Sequence, residues 1–239
     1  MTFNKITAIG TVLFNLAMPV CAKMYNPGLE TRMEQKYNVD LVGNFCDKEL
    51  KKISKVMKSI DDKIDRKKAG IETFTIENVE YLKEKMMEED RKAAEEEGYV
   101  FEADLTQYAD AEAKPEKNLI RIDSRAINDK INQKKNTPES RLMGYDYMLP
   151  HEIGHLVYDK HSKKIFFKFW DYNIHRDSDK KGELPDGYVT PYPIQRVFFV
   201  RTNEDFADIF SYWINNKHYA DNDSIVQKKI DAVKGYTRK

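Results

Sequence analysis

A chain of 239 residues with 41% hydrophobic residues can bury a real core, and it needs only one domain, or one domain with two lobes around a cleft. Lys+Arg 40 against Asp+Glu 40 leaves no net charge, so no excess of basic surface is present to grip phosphates, which sets nucleic acid aside as a partner. The 33% charged residues run in mixed-sign stretches such as Lys83 to Arg91 and Lys228 to Lys234, the pattern of solvated helix faces.

In the first 22 residues Lys5 is the only charge, Ile6 to Val20 is largely apolar, and Val20-Cys21-Ala22 offers small residues for cleavage. This predicts a secretory signal peptide over 1–22 and a secreted or periplasmic protein. The apolar run is short and broken by Asn15 and Pro19, so no stable membrane span is expected. Acylation at Cys21 is the alternative, and Val20 fits it poorly. If the leader is removed after Ala22, Cys46 is alone and reads as a small buried apolar residue.

Asp47 to Ala69 carries Leu50, Ile53, Val56, Met57, Ile60 and Ile64 at helical spacing, with Gly70 as a stop. Thr75 is placed to cap a second helix, in which Val79, Leu82 and Met86 form a buried stripe before an acidic run ends at Gly98. Tyr99 to Leu105 is expected as a short strand, Asp110 to Lys117 as a connecting loop and Asn118 to Asp123 as another strand, one whose edge would suit an extended peptide. Ala126 to Gln133 is expected as a short helix and Asn136 to Glu139 as a turn.

His151-Glu152-Ile153-Gly154-His155 then stands out. Positions i and i+4 share one helix face, so both imidazoles can hold one metal ion, with Glu152 beside them as a base for a water molecule. Pro150 stands directly before the first histidine. The helix either begins close to it or continues from Arg141 through a kink.

A catalytic zinc site needs a third protein ligand and an open position. His161 would complete H-E-x-x-H-x-x-x-x-x-H, the spacing of metzincins. Tyr158 then occupies the place of their glycine, where positive φ is costly for an aromatic residue, and no Met follows Met148 to make their Met-turn. Glu204 is the stronger candidate. Thr202 would cap a helix with Glu204 in its first turn; Phe206, Ile209, Phe210 and Trp213 would face the core, and Asp208 would steady a ligand histidine.

With H-E-x-x-H followed by a helix bearing E-x-x-x-D, residues 140 to 216 resemble the gluzincin zinc metallopeptidases. The likeness is closest to secreted bacterial members of the lethal-factor-like and Pro-Pro endopeptidase group. The matching stretches are Asp186-Gly187-Tyr188-Val189-Thr190-Pro191-Tyr192 and Glu204-Asp205-Phe206-Ala207-Asp208. Tyr192 lies further from Glu204 than the resemblance implies.

These residues lead to one set of expectations. The fold is α+β and zincin-like, a small mixed sheet with an active-site helix and a mainly helical C-terminal lobe. The chain divides into a signal peptide (1–22), a mainly helical N-terminal region (23–117) and a catalytic region (118–239). One zinc ion is held by His151, His155 and Glu204. Glu152 serves as general base in hydrolysis of a protein or peptide substrate. Tyr192 is first choice as oxyanion donor, with Tyr188 and His218 as alternatives. His175 reads as an exposed loop residue. The roughly 40 residues from Ser162 to Arg201 would form a cleft wall, with Phe166, Phe167, Phe169 and Trp170 in the core. The competing reading is a non-catalytic zinc-binding or pseudopeptidase surface protein on the same scaffold.

Overall fold

A computed structural model describes residues 27–101, 109–133, 144–173, 188, 198–216 and 222–238. In chain order the elements are α1 (Pro27–Tyr37), β1 (Val39–Val42), α2 (Asp47–Lys63), β2 (Phe74–Asn78), α3 (Leu82–Glu97), β3 (Ala111–Lys114), a 3-10 turn (Pro115–Lys117), β4 (Leu119–Ile122), α4 (Ser124–Gln133), α5 (Tyr145–Asn173), α6 (Phe198–Ile214) and α7 (Ser224–Thr237). The protein is therefore mixed α and β, with helix predominating around a small sheet. Among the described residues no helix is long and apolar enough to cross a membrane. The leader at 1–22, the turn at 136–139 and most of the expected strand at 99–105 lie outside the described residues.

The sheet runs β1-β2-β4-β3, with β1, β2 and β4 parallel and β3 antiparallel to β4. Two expectations are corrected here. Thr75 does not cap a helix: it lies in β2, where Phe74 and Ile76 point to the core while Thr75 faces partly outward, the period of two that marks a strand. The loop expected at 110–117 contains β3, which pairs Ala111 with Ile122 and Lys114 with Leu119 through the turn at Pro115. The predicted strand at 118–123 is β4, and it lies between β2 and β3. The edge beside α5 is β3 instead. Residues on both sides of position 118 thus share one sheet.

The α2 stripe is read correctly, since Leu50, Ile53, Val56, Met57, Ile60 and Ile64 are all buried. The helix stops at Lys63, earlier than Ala69, because Ile64 turns into an extended conformation and bridges Arg238. Lys63 Nζ then donates to the carbonyl of Ile214 at 3.0 Å and to Asn216 Oδ1 at 2.6 Å, so α2 supplies a cation to the C-terminal end of α6. Cys46, at the start of α2, is buried, as expected of it.

Candidate metal centre

His151 and His155 stand on α5, a 29-residue helix that starts well before Pro150 and carries the proline in its second turn. Gly144 opens it by accepting from the amides of Tyr147 and Met148, both at 2.9 Å. The helix runs on through Tyr158 to Asn173 without the turn a third histidine would need. Six residues of helix rotate His161 by about 240° from His155. Its Nε2 lies 3.2 Å from the carbonyl of Lys68, and its ring packs 5.5 Å from that of Tyr236, away from the histidine pair.

The second wall of the site is α6, brought close by two residues with almost no side chain. A Cβ built on Gly154 would fall 2.8 Å from Ala207 Cα and 3.2 Å from Ala207 Cβ, so a hydrogen at 154 is what permits this crossing. Phe206, Ile209 and Phe210 are fully buried along the same helix. It begins at Phe198, one turn earlier than expected, because no Gly or Pro interrupts 198–201. Thr202 is therefore a buried interior residue and no cap, and Glu204 sits in the second turn.

This crossing brings three predicted ligands together. His151 Nε2 and His155 Nε2 are 3.1 Å apart, and Glu204 Oε2 lies 3.3 Å from the first and 3.6 Å from the second. All three ligand atoms fall within 4.8 Å of one another. The opposite edges of the rings are occupied. Nδ1 of His155 lies 2.8 Å from Asn203 Oδ1, and Nδ1 of His151 lies 2.8 Å from Asp208 Oδ1, although its N–H does not point straight at that oxygen. Acceptors at both Nδ1 positions favour the tautomers with hydrogen there, leaving both Nε2 lone pairs turned inward. Glu204 Oε2 is buried and has no hydrogen-bond partner. Two imidazole nitrogens and a carboxylate oxygen converging within 4.8 Å of one another fit a divalent cation of zinc type.

The charges respond to this crowding. Burial opposes the charged form of His151, but the Asp208 and Glu204 carboxylates outweigh it and hold its pKa well above the ordinary histidine value. His155 is likewise raised against burial, chiefly by Glu204. Burial favours a neutral Glu204, yet the two imidazoles prevail and keep its pKa below the usual carboxylate range. Glu152, 7% exposed, is pushed upward mainly by burial, with His155, His151 and the Ala113 backbone of β3 pulling the other way.

Sequence reasoning missed two polar partners. Asn203 was passed over beside two acids, although its place immediately before Glu204 puts it within reach of the same pair of rings. Tyr147, one turn before His151, donates its hydroxyl to Asp208 Oδ1. A third departure concerns Lys229, expected on a solvated face. It is fully buried, with Nζ 2.6 Å from the equally buried Asp205 Oδ2 and 4.3 Å from the centre of the Tyr188 ring. Tyr188 is itself 4% exposed and packs on that ammonium. Phe166, Phe167 and Phe169 belong to α5; Phe169 is buried, but Phe167 is 70% exposed. Tyr192, His175 and His218 lie outside the described residues.

Comparison with family models, with curated proteins and with solved structures found no match.

Proposed function

We propose that this protein is a zinc-dependent peptidase of gluzincin type, with one zinc ion held by His151, His155 and Glu204. The observation that carries the proposal is the convergence of two imidazole nitrogens and a buried, unpartnered Glu204 oxygen beside a buried Glu152. Zinc in a three-ligand site supplies a Lewis acid for a peptide carbonyl and brings the pKa of a water molecule to about 7.

The remaining work falls to the chain. Glu152 is a general base whose pKa is raised by burial toward the working pH, where a carboxylate both takes a proton and releases it to a leaving amine. The Ala113 backbone of the edge strand opposes that rise. In an antiparallel pair the groups of alternate residues face away from the partner strand, so β3 presents main-chain donors and acceptors beside α5 for an extended substrate. One antiparallel edge strand next to the helix bearing the histidines also supports the zincin-like form of the fold.

The test combines metal analysis of purified protein with a peptide panel read by mass spectrometry, for wild type and Glu152→Gln. Wild type is expected to carry one zinc and to cleave. The Gln variant is expected to keep the metal and lose about 10²–10⁴ in rate. Absence of zinc from the wild type, or full activity in the variant, overturns the proposal.

A further inference from the structure

We infer that Tyr147 is a positioning residue for the metal centre, fixing the Asp208 carboxylate with its phenol and, through that carboxylate, the ring of His151. The inference rests on the zinc reading above and adds a component that neither ligand spacing nor an E-x-x-x-D pattern contains.

Four contacts carry it. Tyr147 and His151 are i and i+4 on α5, and their rings stack with centroids 5.8 Å apart at 29°. The Tyr147 hydroxyl donates to Asp208 Oδ1. That same oxygen lies 2.8 Å from His151 Nδ1. Finally, Ser211 Oγ, one turn after Asp208 on α6, donates to the Tyr147 carbonyl at 2.8 Å, tying the backbone of the tyrosine to the helix that carries the acid.

A carboxylate oxygen has two lone pairs, and Asp208 Oδ1 accepts from the phenol while lying close to the imidazole. Asp208 is buried, with its side chain 1% exposed, so water does not compete freely for either. The phenol holds the oxygen beside His151, and a turn of His151 off the common point would lose its stacking on Tyr147 and its close approach to that carboxylate. His155 has a different arrangement, with a neutral amide oxygen from Asn203 2.8 Å from its Nδ1. The centre is thus flanked asymmetrically, by a carboxylate fixed by a phenol beside one ligand and a neutral amide oxygen beside the other.

Zinc affinity, measured by competition with a chromogenic chelator, tests this on wild type, Tyr147→Phe, Asp208→Asn and the double variant. Tyr147→Phe keeps the ring and its stacking and removes only the hydroxyl. It is expected to weaken zinc about 10-fold, with the absorption bands of the cobalt-substituted protein shifted. Once Asp208→Asn is present, adding Tyr147→Phe is expected to weaken zinc by less than about 3-fold, because the carboxylate through which it acts is gone. Unchanged affinity in Tyr147→Phe overturns the inference. So does an equal loss with and without Asp208→Asn, which would assign the hydroxyl to packing alone. A wild-type chain that takes up no zinc at all would overturn the zinc reading itself and this inference with it, an outcome distinct from the other two.

Discussion

Glu204 and Asp205 are neighbours in sequence, about 100° apart around α6, and meet different helices. Toward α7, Asp205 meets the Lys229 ammonium at 2.6 Å, and both side chains are wholly buried. Toward α5, Glu204 Oε2 lies 3.3 Å and 3.6 Å from two imidazole nitrogens and accepts no hydrogen bond. The same chemical group thus meets a permanent ammonium in one place and two titratable imidazoles in the other. A buried charge paired with a permanent cation serves the fold; one set beside two imidazoles, with all three ligand atoms within 4.8 Å of one another, belongs to a group that could hold a metal ion.

The contrast can be broken first at Glu204. Glu204→Gln is expected to weaken zinc by more than about 100-fold, beyond the 10–100-fold that an outer partner is worth, in chelator competition. Its metal-free fold should stay closer to wild type than that of Lys229→Met. The lysine change strands a buried carboxylate and is expected to cost about 3–5 kcal/mol in urea denaturation, partly recovered by adding Asp205→Asn. A loss below about 1 kcal/mol for Lys229→Met would erase the distinction between the two faces. Gly154→Ala comes next: its methyl meets Ala207, so about 1–3 kcal/mol of stability should go, together with weaker zinc binding as the helices part. Asn203→Ala should lower zinc affinity by about 10-fold, less than loss of the charged Asp208. The smallest effect belongs to His161→Ala, which should leave zinc binding unchanged and stability within about 0.5 kcal/mol. Loss of zinc there would restore His161 as a ligand.

What the sequence displays and what it hides follow from range of interaction. The α2 stripe and the i, i+4 histidines are periodic within a single helix, and the spacing alone specifies a shared face. Glu204 was legible because a carboxylate helix with an apolar opposite face is also a local pattern. Strand β3 was not: Ala-Glu-Ala-Lys carries little β preference, and it is a strand because it pairs with β4 and keeps Arg121 against Glu112 at 2.7 Å. Lys229 was hidden for a similar reason, as nothing in the run Gln227-Lys228-Lys229 marks which lysine meets an acid 24 positions earlier. The start of α6 was misplaced because a threonine that could cap a helix also fits inside one when the preceding residues remain helical. Asn203 and Tyr147 acquire their roles only once α5 and α6 have crossed.

That crossing depends on a hydrogen atom at Gly154 and a methyl at Ala207. For protein engineering, the transferable unit is then wider than three ligands. Copying His151, His155 and Glu204 onto another pair of helices, with ordinary side chains at the point of contact, would graft the donors and omit the spacing that lets them meet. The design rule here is a gap, and any scaffold meant to receive this centre must first reproduce it.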